Sequence, residues 1–153
     1  MPGSTLFALL GAVLVVITVL IHAAGTTWWL KRLGHLFANV EGRRHTQLHT
    51  MRVLSMTVLV LLVLHVIEIE VWAMAYLYLL PEDQLGTAEE AAYFSFVTFT
   101  TLGYGDITLP YPLRMMSGIE AMNGIMLGGW STALLFAVVQ RTWQDMGRNK
   151  SDQ

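Results

Sequence analysis

The sequence predicts an all-α membrane protein with three transmembrane helices and a shorter, re-entrant helix between the second and the third. Of the 153 residues, 54% are hydrophobic and 13% are charged, whereas a typical soluble domain has about 25% charged residues. Three apolar stretches are long enough to cross a bilayer, which takes about 20 residues. A further apolar stretch is too short to cross. The lipid bilayer is therefore the first predicted partner.

Composition also excludes several classes of function. The chain contains no cysteine, which rules out disulfides, thiolate metal sites and a thiol nucleophile. Its net charge of -2 provides no basic excess to neutralise phosphates, so nucleic-acid binding is not expected. No nucleophile–base pair or metal cluster lies on one face of a predicted helix. We expect no enzyme activity, no cofactor and no small-molecule substrate.

The first transmembrane helix is predicted over residues 1–27, and its apolar run LFALLGAVLVVITVLI carries no charge. A cleaved signal peptide is the alternative, because HAAG offers small residues at the end of the run. Signal peptides normally begin with positive charge, and no Lys or Arg precedes this run. We therefore expect a retained helix that packs at the periphery, against the second span.

Residues 28–52 are predicted to form a cytoplasmic linker, with apolar residues spaced for an amphipathic helix at the membrane interface. Trp28 and Trp29 would lie at headgroup level, which amphipathic rings favour. Several histidines lie within this segment or shortly before it, and a metal or pH-sensing site is one interpretation of them. Their spacing fits no ligand pattern, so solvated histidines at the interface are expected. They are His22, His35, His45 and His49.

The distribution of charge predicts the orientation, because cytoplasmic loops carry an excess of Lys and Arg. Basic residues lie between the first and second spans and after the third span, and none lies between residues 53 and 113. We therefore expect the N-terminus outside and the C-terminus in the cytoplasm. The short chain favours a prokaryotic plasma (inner) membrane. The basic residues of these two segments are Lys31, Arg32, Arg43, Arg44, Arg52, Arg141, Arg148 and Lys150.

The second and third spans, residues 53–80 and 113–140, flank a short helix predicted over residues 88–100. Thr87 followed by Glu90 has the spacing of a capping box, which begins a helix. About 14 residues at 1.5 Å each make about 21 Å, too short to cross. Apolar segments of this length can be re-entrant. A short cytoplasmic tail, residues 141–153, follows the third span.

The re-entrant helix is followed by TTLGYGDITLP, whose glycines are poor helix formers. Non-helical backbone at membrane depth is tolerated only inside protein or along a watery cavity. Alternating glycines permit backbone angles of mixed handedness, so that successive carbonyls can point one way. Rings of such oxygens replace the water shell of a dehydrated cation. A simple turn and a dinucleotide-binding loop are the alternatives, but GYGDIT lacks the third glycine of the latter.

The segment TTLGYGD resembles the TTVGYGD filter of potassium channels, with Leu102 where the family most often has valine. The resemblance implies a pore module over residues 53–140, with an outer helix, a pore helix, a filter (101–106) and an inner helix. It also implies a homotetramer that conducts K⁺. Thr101, Leu102, Gly103 and Tyr104 would coordinate the permeant ion, Gly105 would lie at the outer end, and Asp106 would brace the filter.

The sequence departs from the family at Val97, where many bacterial members have a glutamate that pairs with the filter aspartate. Asp106 therefore needs another partner, and a tyrosine, a tryptophan or a backbone amide is expected. No span carries a row of arginines, so no voltage sensor is expected. In the third span, Gly124 and Gly128 are candidate hinges of the inner helix. The alternative is that these small residues permit close helix packing.

Three acids lie in the predicted spans: Glu68, Glu70 and Glu120. A charged acid at the bilayer centre costs about 3 kcal/mol, so such residues usually face protein or water. Helical spacing places His65 and Trp72 on the face of Glu68, while Glu70 points elsewhere. We expect these acids to be buried and hydrogen-bonded around the pore helix. Sensing of pH, or stabilisation of a cation near the pore, is the alternative.

The function predicted from the sequence is that of a potassium-selective channel subunit. Two alternatives remain open, namely a non-conducting structural or regulatory subunit and a weakly selective cation channel. The intact LGYGD segment favours selectivity.

Overall fold

The computed structural model describes residues 2–38, 47–79 and 85–151, which form four helices and no strand. The helices are α1 (Pro2–Ala38), α2 (Gln47–Leu79), α3 (Ala88–Phe99) and α4 (Arg114–Ser151). Three of them contain segments long and apolar enough to cross a membrane, at Thr5–His35, Leu48–Leu79 and Arg114–Gln144. The predicted all-α fold with three candidate membrane spans is confirmed.

The helices extend further than the sequence predicted. α1 continues without a break to Ala38, and α2 begins at Gln47, so the segment 28–52 is helical at both of its ends. Its residues 39–46, which include His45, lie outside the described residues. α4 continues to Ser151, so most of the predicted tail is part of the inner helix. The location of the 28–52 segment at the membrane interface remains a prediction.

The two adjacent tryptophans differ in their surroundings. Trp28 is exposed, whereas Trp29 is buried and its indole Nε1 donates a hydrogen bond to Thr57 Oγ1 at 3.1 Å. Because α1 runs straight through this region, one face of it remains packed on α2. Trp29 is therefore a packing residue between two helices, and the location of both rings at headgroup level remains a prediction.

α3 has 12 residues, which make it about 18 Å long. Its N-cap is Thr87, whose side chain accepts a hydrogen bond from the Glu90 backbone N–H at 3.1 Å. The Glu90 carboxylate accepts in turn from the backbone N–H of Gly86 at 2.9 Å, one residue before the usual partner in a capping box. The predicted helix start is confirmed.

Two apolar clusters hold the helices together. One lies between α2, α3 and α4 and centres on Trp72, Tyr76 and Met116, which are fully buried. The other joins α1 to α2 and α4 through residues such as Leu33, Leu64 and Leu134. α1 therefore packs against α4 as well as α2, whereas the sequence predicted contact with the second span alone.

Candidate ion-conduction site

The chain folds back on itself directly after α3. The backbone N–H of Thr101 donates to the Thr98 carbonyl at 2.9 Å, and that of Gly103 donates to the Val97 carbonyl at 3.2 Å. The Thr100 hydroxyl caps the last turn by donating to the Phe96 carbonyl at 2.7 Å. These bonds satisfy carbonyls that a helix end leaves without partners, and they fix the next residues against the C-terminal end of α3.

The backbone of this segment alternates in handedness. Positive φ values occur at Thr101 (59°), Gly103 (55°) and Gly105 (80°). Glycine adopts such angles without a steric cost, but a β-branched threonine with φ > 0 is a genuine outlier. Strained residues of this kind cluster at functional sites. The two glycines therefore lie where the backbone needs them, and Thr101 is the strained member of the series.

The whole segment from Thr101 to Asp106 is exposed on the single chain. Leu102 is 52% exposed and Tyr104 is 68% exposed, although both are large hydrophobic side chains. Contiguous exposed apolar surface of this kind marks an interaction site. The segment thus combines fixed backbone with surface that nothing in the single chain covers.

Asp106 has the tyrosine partner that was among the alternatives predicted for it. The Tyr93 hydroxyl, on α3, donates to Asp106 Oδ2 at 2.7 Å. This hydrogen bond holds the pKa of Asp106 below its ordinary value of 3.8, and it raises the pKa of Tyr93 above its ordinary 10.0. The bond ties the C-terminal end of the segment to the first half of α3, while the backbone N–H of Gly103 ties its middle to the second half.

Glu120 belongs to a buried hydrogen-bond network behind α3. Tyr76 donates its hydroxyl to Glu120 Oε2 at 2.7 Å, and Ser95 Oγ lies 2.5 Å from Glu120 Oε1. Ser95 Oγ also lies 2.8 Å from the carbonyl of Ile69. The network joins α2, α3 and α4, which agrees with the predicted scaffold around the pore helix.

Hydrogen counting suggests how this network is satisfied. The single hydroxyl hydrogen of Ser95 reaches only one of its two acceptors at a time. A proton on Glu120 would supply the missing hydrogen, because the carboxyl would then donate to Ser95 while Ser95 donates to Ile69. A neutral acid is also the cheaper form at membrane depth. We infer that Glu120 is a neutral structural acid.

The two predicted hinge glycines have different surroundings. Gly124 is buried against the C-terminal end of α3, and a Cβ added to it would lie 2.8 Å from the Phe99 carbonyl carbon. A Cβ at Gly128 would meet nothing within 4 Å. Close packing therefore accounts for Gly124 but not for Gly128. A hinge at either position remains a prediction, since α4 is continuous through both.

Glu68 is fully buried, but its partners are not those expected. Its carboxylate lies 2.8 Å from His22 Nδ1 on α1 and 3.0 Å from His65 Nδ1 on α2, whereas the sequence predicted partners around the pore helix. The prediction of a solvated His22 at the end of the first span is wrong, because α1 extends to Ala38 and His22 lies near the middle of it. His65 and Glu68 do share a face, as predicted.

Glu70 is exposed on the single chain, so the burial expected for all three acids is not found for this one. Two residues along a helix correspond to a rotation of about 200°. Glu70 therefore lies on the side of α2 opposite to Glu68, as the helical spacing had indicated.

The family model described as Ion channel matches residues 53–141, which is more than half of the chain. The match covers most of α2, all of α3, the glycine-containing segment and most of α4. The chain therefore belongs to this ion-channel family, in agreement with the resemblance to potassium-channel pore loops. No curated protein and no solved structure matches the chain significantly. α1 lies outside the matched residues and is an addition to the channel module.

Proposed function

We propose that the protein is the subunit of a potassium-selective channel, with the carbonyls of Thr101, Leu102, Gly103 and Tyr104 as ligands of the permeant ion. The observation that carries the proposal is the alternation of backbone handedness at residues 101, 103 and 105. Alternating handedness turns successive peptide groups toward one side of the chain. Carbonyl oxygens on one side of an extended segment are what replaces the hydration shell of K⁺ in such channels.

The charges around the segment favour the binding of a cation. The C-terminal end of α3 carries roughly half a negative charge from its helix dipole, and Thr101 follows it directly. Asp106 is an anion at neutral pH, since its hydrogen bond from Tyr93 lowers its pKa. Negative potential is thus present at both ends of the four proposed ligand residues, and no Lys or Arg occurs in residues 53–113.

Four copies of the chain would complete the site, because one filter segment supplies only one quarter of each ring of oxygens. The surface available for such assembly is apolar. Besides Leu102 and Tyr104, exposed side chains follow one side of α4, including Met122 (60%), Ile125 (63%) and Met126 (68%). We propose a homotetramer with α1 at its periphery, its N-terminus outside and its C-terminus in the cytoplasm.

The test is a potassium flux assay on the purified protein in liposomes, with sodium as the competing ion. Gly103→Ser is the matched control, because φ at this residue is positive and serine would strain it. Selective K⁺ flux in wild type, and none in the variant, is the expected result. Equal K⁺ and Na⁺ flux would instead indicate a weakly selective channel, and no flux a non-conducting subunit. Native mass spectrometry should give four chains per particle.

A further inference from the structure

Four polar side chains form a closed ring near the middle of the three spans. Glu68 faces Nδ1 of His22 at 2.8 Å and Nδ1 of His65 at 3.0 Å. On the opposite side, Ser131 Oγ lies 3.0 Å from His65 Nε2 and 3.4 Å from His22 Nε2. His22 and Glu68 are fully buried. The ring joins α1, α2 and α4, and the channel mechanism proposed above does not use it.

Hydrogen counting shows that two neutral imidazoles together with an ionised Glu68 leave this ring incomplete. With both Nδ1 atoms protonated to bond Glu68, both Nε2 atoms are acceptors. Ser131 has a single hydroxyl hydrogen and can satisfy only one of them. Glu68 would also keep a negative charge without a cation at membrane depth, which is costly. Buried polar groups are normally satisfied, so the ring needs a further positive species.

We propose that His22 Nδ1, His65 Nδ1 and a carboxylate oxygen of Glu68 bind a divalent transition-metal ion of the Zn²⁺ type. The three residues can each offer one ligand atom such that these atoms lie within 4.8 Å of one another, and both Nδ1 atoms lie within 3.0 Å of the Glu68 carboxylate. Ligands of a tetrahedral zinc ion at 2.0–2.2 Å are about 3.3 Å apart, so small movements would admit the ion. Two histidines and one glutamate are also a known zinc ligand set.

The orientation of both rings is what metal binding requires. With the ion bound to Nδ1, each neutral imidazole would carry its single hydrogen on Nε2, so the hydrogen moves from Nδ1 to Nε2 when the ion binds. Both Nε2–H groups would then donate to Ser131 Oγ, which has two lone pairs to accept them. Ligating histidines almost always donate their other N–H in this way. Ser131 is thus a positioning residue that holds both rings at once, and every hydrogen-bonding group of the two imidazoles is satisfied.

The site has an access route and an apolar surrounding. The His65 side chain is 20% exposed and borders a groove of about 480 Å³ that Phe99 and Thr101 also line. The ring of Trp130 packs edge-on against His22, with centroids 5.5 Å apart. A bound ion would tie α1, which lies outside the matched channel module, to the outer helix of that module.

The experiment uses the full chain, purified in detergent, stripped with a chelator and dialysed against Zn²⁺ alone or Co²⁺ alone. We expect one ion per chain in wild type and at least tenfold weaker binding in His22→Gln, His65→Gln and Glu68→Gln. Ser131→Ala should weaken binding 10–100-fold, as loss of such partners does. His35→Gln is the control, because His35 is an exposed histidine of the same helix, and it should bind as wild type does.

Bound Co²⁺ gives a second readout, which is spectroscopic. The intense visible absorption of tetrahedral Co²⁺ in wild type is expected, and Ser131→Ala should change its band positions, which a merely structural role would not do. The proposal is overturned if wild type shows only the pale spectrum of hydrated Co²⁺. It is also overturned if His22→Gln and His35→Gln bind equally. In either case the ring holds an extra proton and no metal.

Discussion

Replacement of Gly124 by alanine distinguishes the two interpretations of this glycine. The added Cβ would lie 2.8 Å from the carbonyl carbon of Phe99 and closer still to its oxygen, and real Cβ atoms do not approach other heavy atoms within 3.0 Å. The obstacle is backbone, directly before the filter segment, so no side chain can turn aside. α4 would have to move away from α3.

The size of the effect follows from comparison with Gly128. Overpacking of this kind costs about 1–3 kcal/mol. Alanine in place of a helical glycine otherwise stabilises by about 0.5–1 kcal/mol, and this gain should remain at Gly128, where a Cβ meets nothing within 4 Å. The gain in helix propensity applies at both positions of α4 and cancels in the comparison, so the two variants should differ by roughly 1–3 kcal/mol in their free energies of unfolding.

The assay is reversible denaturant unfolding of both variants and of wild type in the same detergent, followed by circular dichroism. We expect the order Gly128→Ala, wild type, Gly124→Ala from most to least stable. Potassium flux in liposomes should fall in Gly124→Ala, because the displaced atoms adjoin Thr101. If Gly124→Ala is as stable as Gly128→Ala and only its flux changes, the packing argument is refuted and a hinge is favoured.

Three further predictions concern the polar contacts. The free energy of unfolding of Glu120→Gln should lie within about 1 kcal/mol of the wild-type value, because the amide can donate to Ser95 and its carbonyl can accept from Tyr76. Glu120→Ala should lower the free energy of unfolding by about 2–4 kcal/mol. A loss as large in the glutamine variant would show that Glu120 is ionised. Potassium flux should be constant from about pH 5 to 9, because the pKa of Asp106 is lowered and its bond from Tyr93 is lost only as pH falls through that lowered value. Tyr93→Phe should reduce K⁺ over Na⁺ selectivity at every pH. Unchanged selectivity in this variant would contradict a role of the Tyr93–Asp106 bond in holding the filter segment. Thr18→Val removes the bond that Asn123 donates at 2.7 Å and should lower the free energy of unfolding by about 0.6 kcal/mol. The control is Thr27→Val, at an exposed threonine of the same helix. Equal stabilities of the two variants would show that the Thr18–Asn123 contact is not a determinant of docking.

The helices could be predicted because each depends on local sequence. A run of apolar residues predicts a span whatever it packs against, and the Thr87–Glu90 pair marks a helix start by itself. The ends of the spans were less predictable. Polar residues such as Lys31 and Arg32 suggest the end of a membrane segment, but they do not end a helix, so α1 continues to Ala38.

The partner of Asp106 could be predicted only in part from the sequence. Absence of a glutamate at Val97 indicated that another group is needed, and tyrosine was among the groups expected. Tyr93 lies four residues earlier on α3, one turn nearer the helix start, where a longer side chain can reach the outer end of the filter segment. Spacing limited the choice, but only the path of the chain after Thr101 identified the residue.

The ring of His22, His65, Glu68 and Ser131 could not be predicted, because its members come from three helices. A single pair, His65 and Glu68, has the helical spacing of neighbours. His22 and Ser131 are 109 residues apart, and no local pattern connects them. The available signal was His22, which follows the charge-free apolar run of the first span. Because that span was expected to end at residue 27, His22 was expected near the membrane boundary and not in the middle of a longer helix.

The polar contacts of α1 explain how a helix outside the channel module acquires a defined register on it. Between helices in lipid the hydrophobic effect provides no driving force, so polar contacts and close packing determine association. α1 has both, through Trp29 to Thr57 and through Gly25, where a Cβ would lie 2.9 Å from a methyl carbon of Leu64. Thr18 contacts Asn123, the residue before Gly124, so one turn of α4 meets α1 on one side and the end of α3 on the other. A displacement of α1 therefore acts on the same turn that positions the filter segment.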